Sequence, residues 1–111
     1  MARLRFGVSL LQWEDFMRVP PCNCERVMEL ARLAEKLGYD SIWMADHAHF
    51  PLEALLTLTA AARETKEVNL GTGVIDLNRR SPAAFAHAAA TLDQVSGGRL
   101  ILGVGLSLIH I

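Results

Sequence analysis

Compact apolar runs alternate along this chain with stretches whose apolar residues recur every three or four positions. Residues 6–11 form the first such run and predict a strand, with Gly7 marking a close backbone approach. Val27, Leu30, Ala31, Ala34 and Leu37 then make the stripe of an amphipathic helix, with Glu25 in its first turn and Gly38 as a left-handed stop. Residues 41–46 predict a second strand, and the unbroken run Ile42, Trp43, Met44, Ala45 suits a strand covered on both faces. A second helix is expected to begin near Pro51 and to carry Leu55, Leu56, Thr59 and Ala62 before Lys66. Residues 68–75 predict a third strand. Ser81 followed by Pro82 starts a third helix, a capping hydroxyl next to a residue with no N–H to waste; Phe85, Ala88, Leu92 and Val95 form its inner stripe and Gly97-Gly98 ends it. Residues 100–104 complete the pattern as a fourth strand.

With 111 residues, 51% of them apolar, the chain can bury a core, and disorder is not expected. Eleven basic residues against twelve acidic ones leave a net charge of −1, which offers no field for a phosphate backbone, so nucleic acid is not an expected partner. The apolar stretches at 83–90, interrupted by His87, and at 100–102 fall far short of the ~20 residues of a membrane span. Arg3 and Arg5 open the chain, but Gln12, Glu14 and Asp15 cut the apolar run that follows and no small-residue cleavage site appears, so a soluble cytoplasmic protein is expected. Cys22 and Cys24 follow Pro20 and Pro21 and are expected as free thiols in an exposed loop. A disulfide across so short a loop would be strained, and two thiols cannot complete a zinc site.

Strands and helices alternating at roughly 30 residues per unit indicate βαβ crossovers and an α/β fold with a parallel sheet. That pattern fits a doubly wound sheet, or the first part of a (β/α)8 barrel, which needs about 250 residues in all. The nucleotide fingerprints of doubly wound sheets are missing: Gly71-Thr72-Gly73 and Gly103-Val104-Gly105 lack the third glycine, and both lie in strands. Asp46-His47 falls at the carboxyl end of the second strand, where barrel enzymes collect their catalytic groups. An imidazole there can move a proton, and the carboxylate can orient it or meet a cofactor edge; a turn cap beside a solvated loop histidine fits equally. Asp46, His47 and His49 could ligate a metal, but residues this close seldom converge on one ion and no metal site is expected. His87 belongs to a helix surface. Gly71 and Gly73 share one face of the third strand, either for tight packing or to seat a flat ring on bare backbone.

Three blocks resemble the luciferase-like oxidoreductases: residues 34–47, ending in Trp43-Met44-Ala45-Asp46-His47; Leu70-Gly71-Thr72-Gly73-Val74-Ile75 with Arg80-Ser81-Pro82-Ala83; and residues 90–105, centred on Ser96-Gly97-Gly98-Arg99. The resemblance implies about four β/α units from the N-terminal part of a (β/α)8 TIM barrel, spanning residues 1–105. It implies an oxidoreductase transferring hydride between the deazaflavin coenzyme F420 and a small organic substrate, because the Asp46-His47 pair is similar to that of the F420-dependent branch. His47 and Asp46 would be catalytic, and Asp46, Gly71, Thr72, Gly73 and Val74 would contact the cofactor. A bulge with a non-proline cis peptide at Gly73-Val74 would lie behind the ring. The other readings are an FMN-dependent monooxygenase that activates oxygen and a non-catalytic flavin-binding relative; a complete protein would be a homodimer.

Residues 106–111 depart from the family pattern and read as one frame of a transposon-end sequencing adapter, so a non-native tail is expected and His110 enters no site. The phosphate-holding loops of such barrels follow later strands. The 111 residues alone are therefore expected to bind cofactor poorly and to turn nothing over.

Overall fold

A computed structural model describes residues 2–11 and 23–106. Strands β1 (Gly7–Ser9), β2 (Ser41–Met44), β3 (Asn69–Asp76) and β4 (Leu100–Gly105) form one parallel sheet in the order β1-β2-β3-β4. Helices α1 (Cys24–Lys36), α2 (Ala54–Glu64) and α3 (Pro82–Val95) connect them, and a single 3-10 turn, Leu77–Arg79, follows β3.

Strand order decides between the two architectures. A doubly wound sheet reverses direction at a switch point and carries helices on both faces. Here each strand pairs with its predecessor, and α1 packs on α2 and α2 on α3. This is the singly wound arrangement of the first part of a (β/α)8 barrel.

Because side chains alternate along a strand, Ile42, Met44 and Leu70 all face the helices. They are buried with Val27, Ala31 and Ala34 of α1, Leu58, Ala61 and Ala62 of α2, and Leu92 of α3. Burying each larger member of this set is worth roughly 1.5–3 kcal/mol.

The helix ends follow local chemistry. Asn23 accepts the Arg26 N–H at 2.9 Å and Ser81 accepts that of Ala84 at 3.2 Å, while Gly38 stops α1 at φ +85°. The second helix departs from expectation: Glu53 accepts the Leu56 N–H at 2.7 Å, so α2 begins at Ala54 and not near Pro51. Leu37 lies just beyond α1 and is exposed, as is Leu56 on the outer side of α2. In α3 Ala89 turns inward in place of Ala88, lying four residues after Phe85 and three before Leu92. The first strand is shorter than expected, although Leu10 still donates to the Trp43 carbonyl at 2.9 Å and is buried with Leu11.

At the amino ends of the strands, Glu35 accepts the N–H groups of Lys66, Glu67 and Val68 at 2.8–3.1 Å. Burial by itself would raise this carboxyl, but the three backbone donors and the Arg99 charge outweigh it and hold Glu35 below the ordinary glutamate value. Arg99 binds the carbonyls of Ala62, Thr65 and Val68, closing the turn between α2 and β3.

Cys24 is the first residue of α1, exposed and free, and so not a loop residue. Cys22, the Pro20-Pro21 turn, the polar break at Gln12, Glu14 and Asp15, and positions 107–111 with His110 lie outside the described residues. Among the described residues no helix is long and apolar enough to cross a membrane.

Candidate active site

The carboxyl ends of β2 and β3 are joined directly: the Asp46 N–H donates to the Val74 carbonyl at 3.3 Å. His47, the next residue, therefore leaves β2 on the rim where β3 carries Gly73 and Val74. The ladder between β3 and β4 runs regularly to Thr72, opposite Leu102, and resumes at Ile75, opposite Val104. Gly73 and Val74 thus occupy a bulge, and the peptide bond between them is cis.

Thr72, one of the expected cofactor contacts, is bonded across the sheet to β4. Its hydroxyl donates to the Gly103 carbonyl at 2.9 Å and accepts the Gly103 N–H at 3.0 Å, and the residue is fully buried. It bridges β3 to β4 where the bulge interrupts the backbone ladder, and its one proton is given to the Gly103 carbonyl.

The two glycines of β3 separate into different roles. A Cβ on Gly71 would lie 2.3–2.6 Å from three atoms of the Trp43 six-membered ring, and one on Gly7 would lie 2.5 Å from Trp43 Nε1. Trp43 Nε1 donates to Ser41 Oγ at 2.8 Å, so the indole is held flat against both strands that flank β2. The flat ring resting on Gly71 is thus that of Trp43. Gly73 is exposed, and a Cβ on it would meet only Trp43 Cε3, at 3.5 Å.

The loop after β2 holds His47 half-buried, with its ring 5.2 Å from that of His49 and 5.5 Å from that of Phe50. His47 Nδ1 accepts the His49 N–H at 3.2 Å, which puts the proton of a neutral imidazole on Nε2.

Asp46 lies beneath this loop, 2% exposed. Arg80 donates to both its oxygens, at 2.6 and 3.1 Å, Arg79 donates at 2.6 Å and the Asp76 N–H at 3.0 Å. Burial alone would raise the carboxyl, but the Arg80 hydrogen bonds, the Asp76 N–H and the two arginine charges hold it below the ordinary aspartate value. Arg80 is raised above its ordinary value, first by the Asp46 hydrogen bonds and then by its contact with Glu53, against the opposing effect of burial. The Asp46 carboxylate is thus enclosed, held by the two arginines and the Asp76 N–H.

Arg79, Arg80, Glu53 and Trp43 were not evident as site residues from sequence. Trp43 and Arg80 do fall in the family-like blocks, and the adjacent arginine pair precedes the Ser81-Pro82 helix start, a pattern that otherwise reads as a solvated turn; Glu53 carries no signal of its own. Among the described residues no three His, Cys, Asp or Glu side chains are placed to hold a metal ion, and His87 is exposed on α3.

Known proteins resemble this chain over most of its length. A 5,10-methylenetetrahydromethanopterin reductase of Methanolobus tindarius is 38% identical over 87 residues, which cover 78% of this chain and 26% of that protein. A 4-hydroxyprotoasukamycin monooxygenase of Streptomyces nodosus subsp. asukaensis is 33% identical over 95% of this chain and 29% of its own length. The solved coenzyme F420 dependent tetrahydromethanopterin reductase of Methanopyrus kandleri superposes with a TM-score of 0.79 at 34% identity, over 94% of this chain and 27% of that one. The chain thus spans under a third of each of these relatives. The Luciferase-like monooxygenase family profile matches residues 4–109, and with these relatives and this sheet the chain belongs to that family.

Proposed function

We propose that the whole protein is an oxidoreductase transferring hydride between coenzyme F420 and a small organic substrate, with residues 1–105 contributing the first four units of its barrel. The observation that carries this reading is the hydrogen bond from the Asp46 N–H to the Val74 carbonyl, which sets the exit of β2, and with it His47, beside the open backbone at Gly73. A planar heterocycle fits there because Gly73 presents no side chain and, among the described residues, only the edge of Trp43 would meet a Cβ placed on it.

When bound, F420 supplies the hydride at C5 of its ring. The protein's part is position and proton handling. Gly73 and Val74 offer a flat backbone surface, and Trp43 fills the space beneath it. Among the described residues His47 is suited to proton transfer on this rim: as imidazolium it can give a proton to a substrate oxygen, and as the neutral ring it can take one back. Asp46 acts indirectly by fixing the strand end from which His47 projects.

The F420-dependent reductase structure at 34% identity favours F420. The monooxygenase relative at 33% supports a second reading, in which FMN replaces F420 and oxygen is the co-substrate. Titrating the whole protein with each cofactor and then adding oxygen separates them: rapid reoxidation of the reduced complex marks the flavin enzyme. The proposal expects F420 to bind more tightly than FMN and His47→Ala to lower turnover by roughly 10²–10⁴-fold. Unchanged turnover in His47→Ala would remove His47 from the mechanism. The whole protein is further proposed to be a homodimer, which sedimentation measures directly.

A further inference from the structure

We propose that Arg80 is a positioning residue for His47, because its single guanidinium holds both ends of the loop that carries the imidazole. The inference rests on the role given to His47 above. That loop starts after Asp46 and finishes at Glu53, the cap of α2. Arg80 donates to both oxygens of Asp46 and also binds the Glu53 carboxylate, so residues 47–52 form a closed segment pinned at its two feet.

The geometry favours a positioning device over a general brace. Asp46 is 2% exposed and Arg80 is 17% exposed, so the clamp lies under the loop and not out in solvent, where an ion pair contributes little. Arg79 and the Asp76 N–H complete the Asp46 shell, which ties the foot of the loop to the end of β3, two residues beyond Val74. The clamp therefore sets the distance between the two halves of the site. Lysine cannot replace arginine here, because one ammonium lacks the planar fork that reaches both oxygens of Asp46 and a third oxygen on Glu53.

The test is a double-mutant cycle in the whole protein between Arg80→Lys and His47→Ala, read as kcat and cofactor Kd. A roughly 10- to 100-fold fall in kcat is expected for Arg80→Lys, with Kd changed less than threefold and no further fall when His47 is already alanine. An unchanged kcat, or an equal fall in both backgrounds, would overturn the proposal. If Arg80→Lys does not fold, Glu53→Gln takes its place in the cycle, since it releases one foot and leaves the buried Asp46 shell intact. A second readout needs no turnover: the ring signals of His47 in nitrogen-15 NMR of the cofactor-free protein should shift or broaden in Glu53→Gln. Unaltered ring signals also overturn the clamp. If His47→Ala leaves turnover intact, the functional reading fails, and these ring signals still decide whether Arg80 positions the loop.

Discussion

Gly71 and Gly73 occupy the same face of one strand, yet an added methyl group should do opposite things at the two positions. At Gly71 the new Cβ would overlap three Trp43 ring atoms at 2.3–2.6 Å, and the indole has no room to slide, since Gly7 presses its other end and Ser41 holds its N–H. Overpacking of this kind costs about 1–3 kcal/mol, and the rigid ring places Gly71→Ala toward the upper end. At Gly73 the nearest atom would be 3.5 Å away, an ordinary contact, and the residue is not in the left-handed region. Gly73→Ala should therefore change stability by no more than about 0.5 kcal/mol. Thermal unfolding of the whole protein reads the difference, at roughly 2–4 °C per kcal/mol for a domain of 150–250 residues. Cofactor titration should show the reverse order, Gly73→Ala losing at least about tenfold in affinity because its methyl group stands where the ring would lie, a cost of ~1.4 kcal/mol or more. Trp43→Leu in the Gly71→Ala background should recover part of the lost stability. The reasoning fails if Gly71→Ala unfolds at the parent temperature, or if Gly73→Ala binds cofactor as the parent does.

Asp46→Asn leaves two arginines facing a neutral amide. Breaking a buried pair costs roughly 3–5 kcal/mol, and the lower end applies because the Arg79 side chain remains 33% exposed. Since the folded-state value of Asp46 is lowered, its contribution is present above the unfolded value of about 3.9 and is lost as pH falls through the lower folded value, so the stability gap between parent and variant should be wide at pH 7 and should close below pH ~4. Denaturant melts across that range check the sign. Thr72→Val keeps the shape but strips Gly103 of both its hydroxyl contacts, which should cost about 1–3 kcal/mol and speed hydrogen exchange at the Gly103 amide. Ser81→Ala removes the α3 cap and should cost about 1 kcal/mol in the same melts.

Much of the fold was legible because it is written in short-range chemistry. The stripe Val27, Ala31, Ala34 reads as a helix face wherever it packs, and Ser81-Pro82 and Gly97-Gly98 bracket α3 by capping and left-handed backbone alone. The second helix misled because Pro51 is a good first-turn residue, while the cap in use, Glu53, is a weak one by type. Glu53 serves because Arg80 holds its other oxygen, a contact 27 residues distant. Ala88 and Ala89 could not be told apart by an apolar count, since both are alanine and only the rotation set by Phe85 and Leu92 chooses between them.

By itself the sequence determined the alternation of four strands with three helices, the family, and the placing of His47 and Gly73 at strand positions that could meet. Tertiary structure decided what each of the singled-out residues packs against. Gly71 and Gly73 are identical in type and face, and only the resting place of Trp43 covers one and leaves the other open. Asp46 adjoins His47 in the chain, yet its carboxylate is turned to arginines one β/α unit later. Backbone periodicity is local and survives in any surroundings, whereas the partner of a buried charge or of a bare glycine is chosen by elements that come together only when the sheet forms.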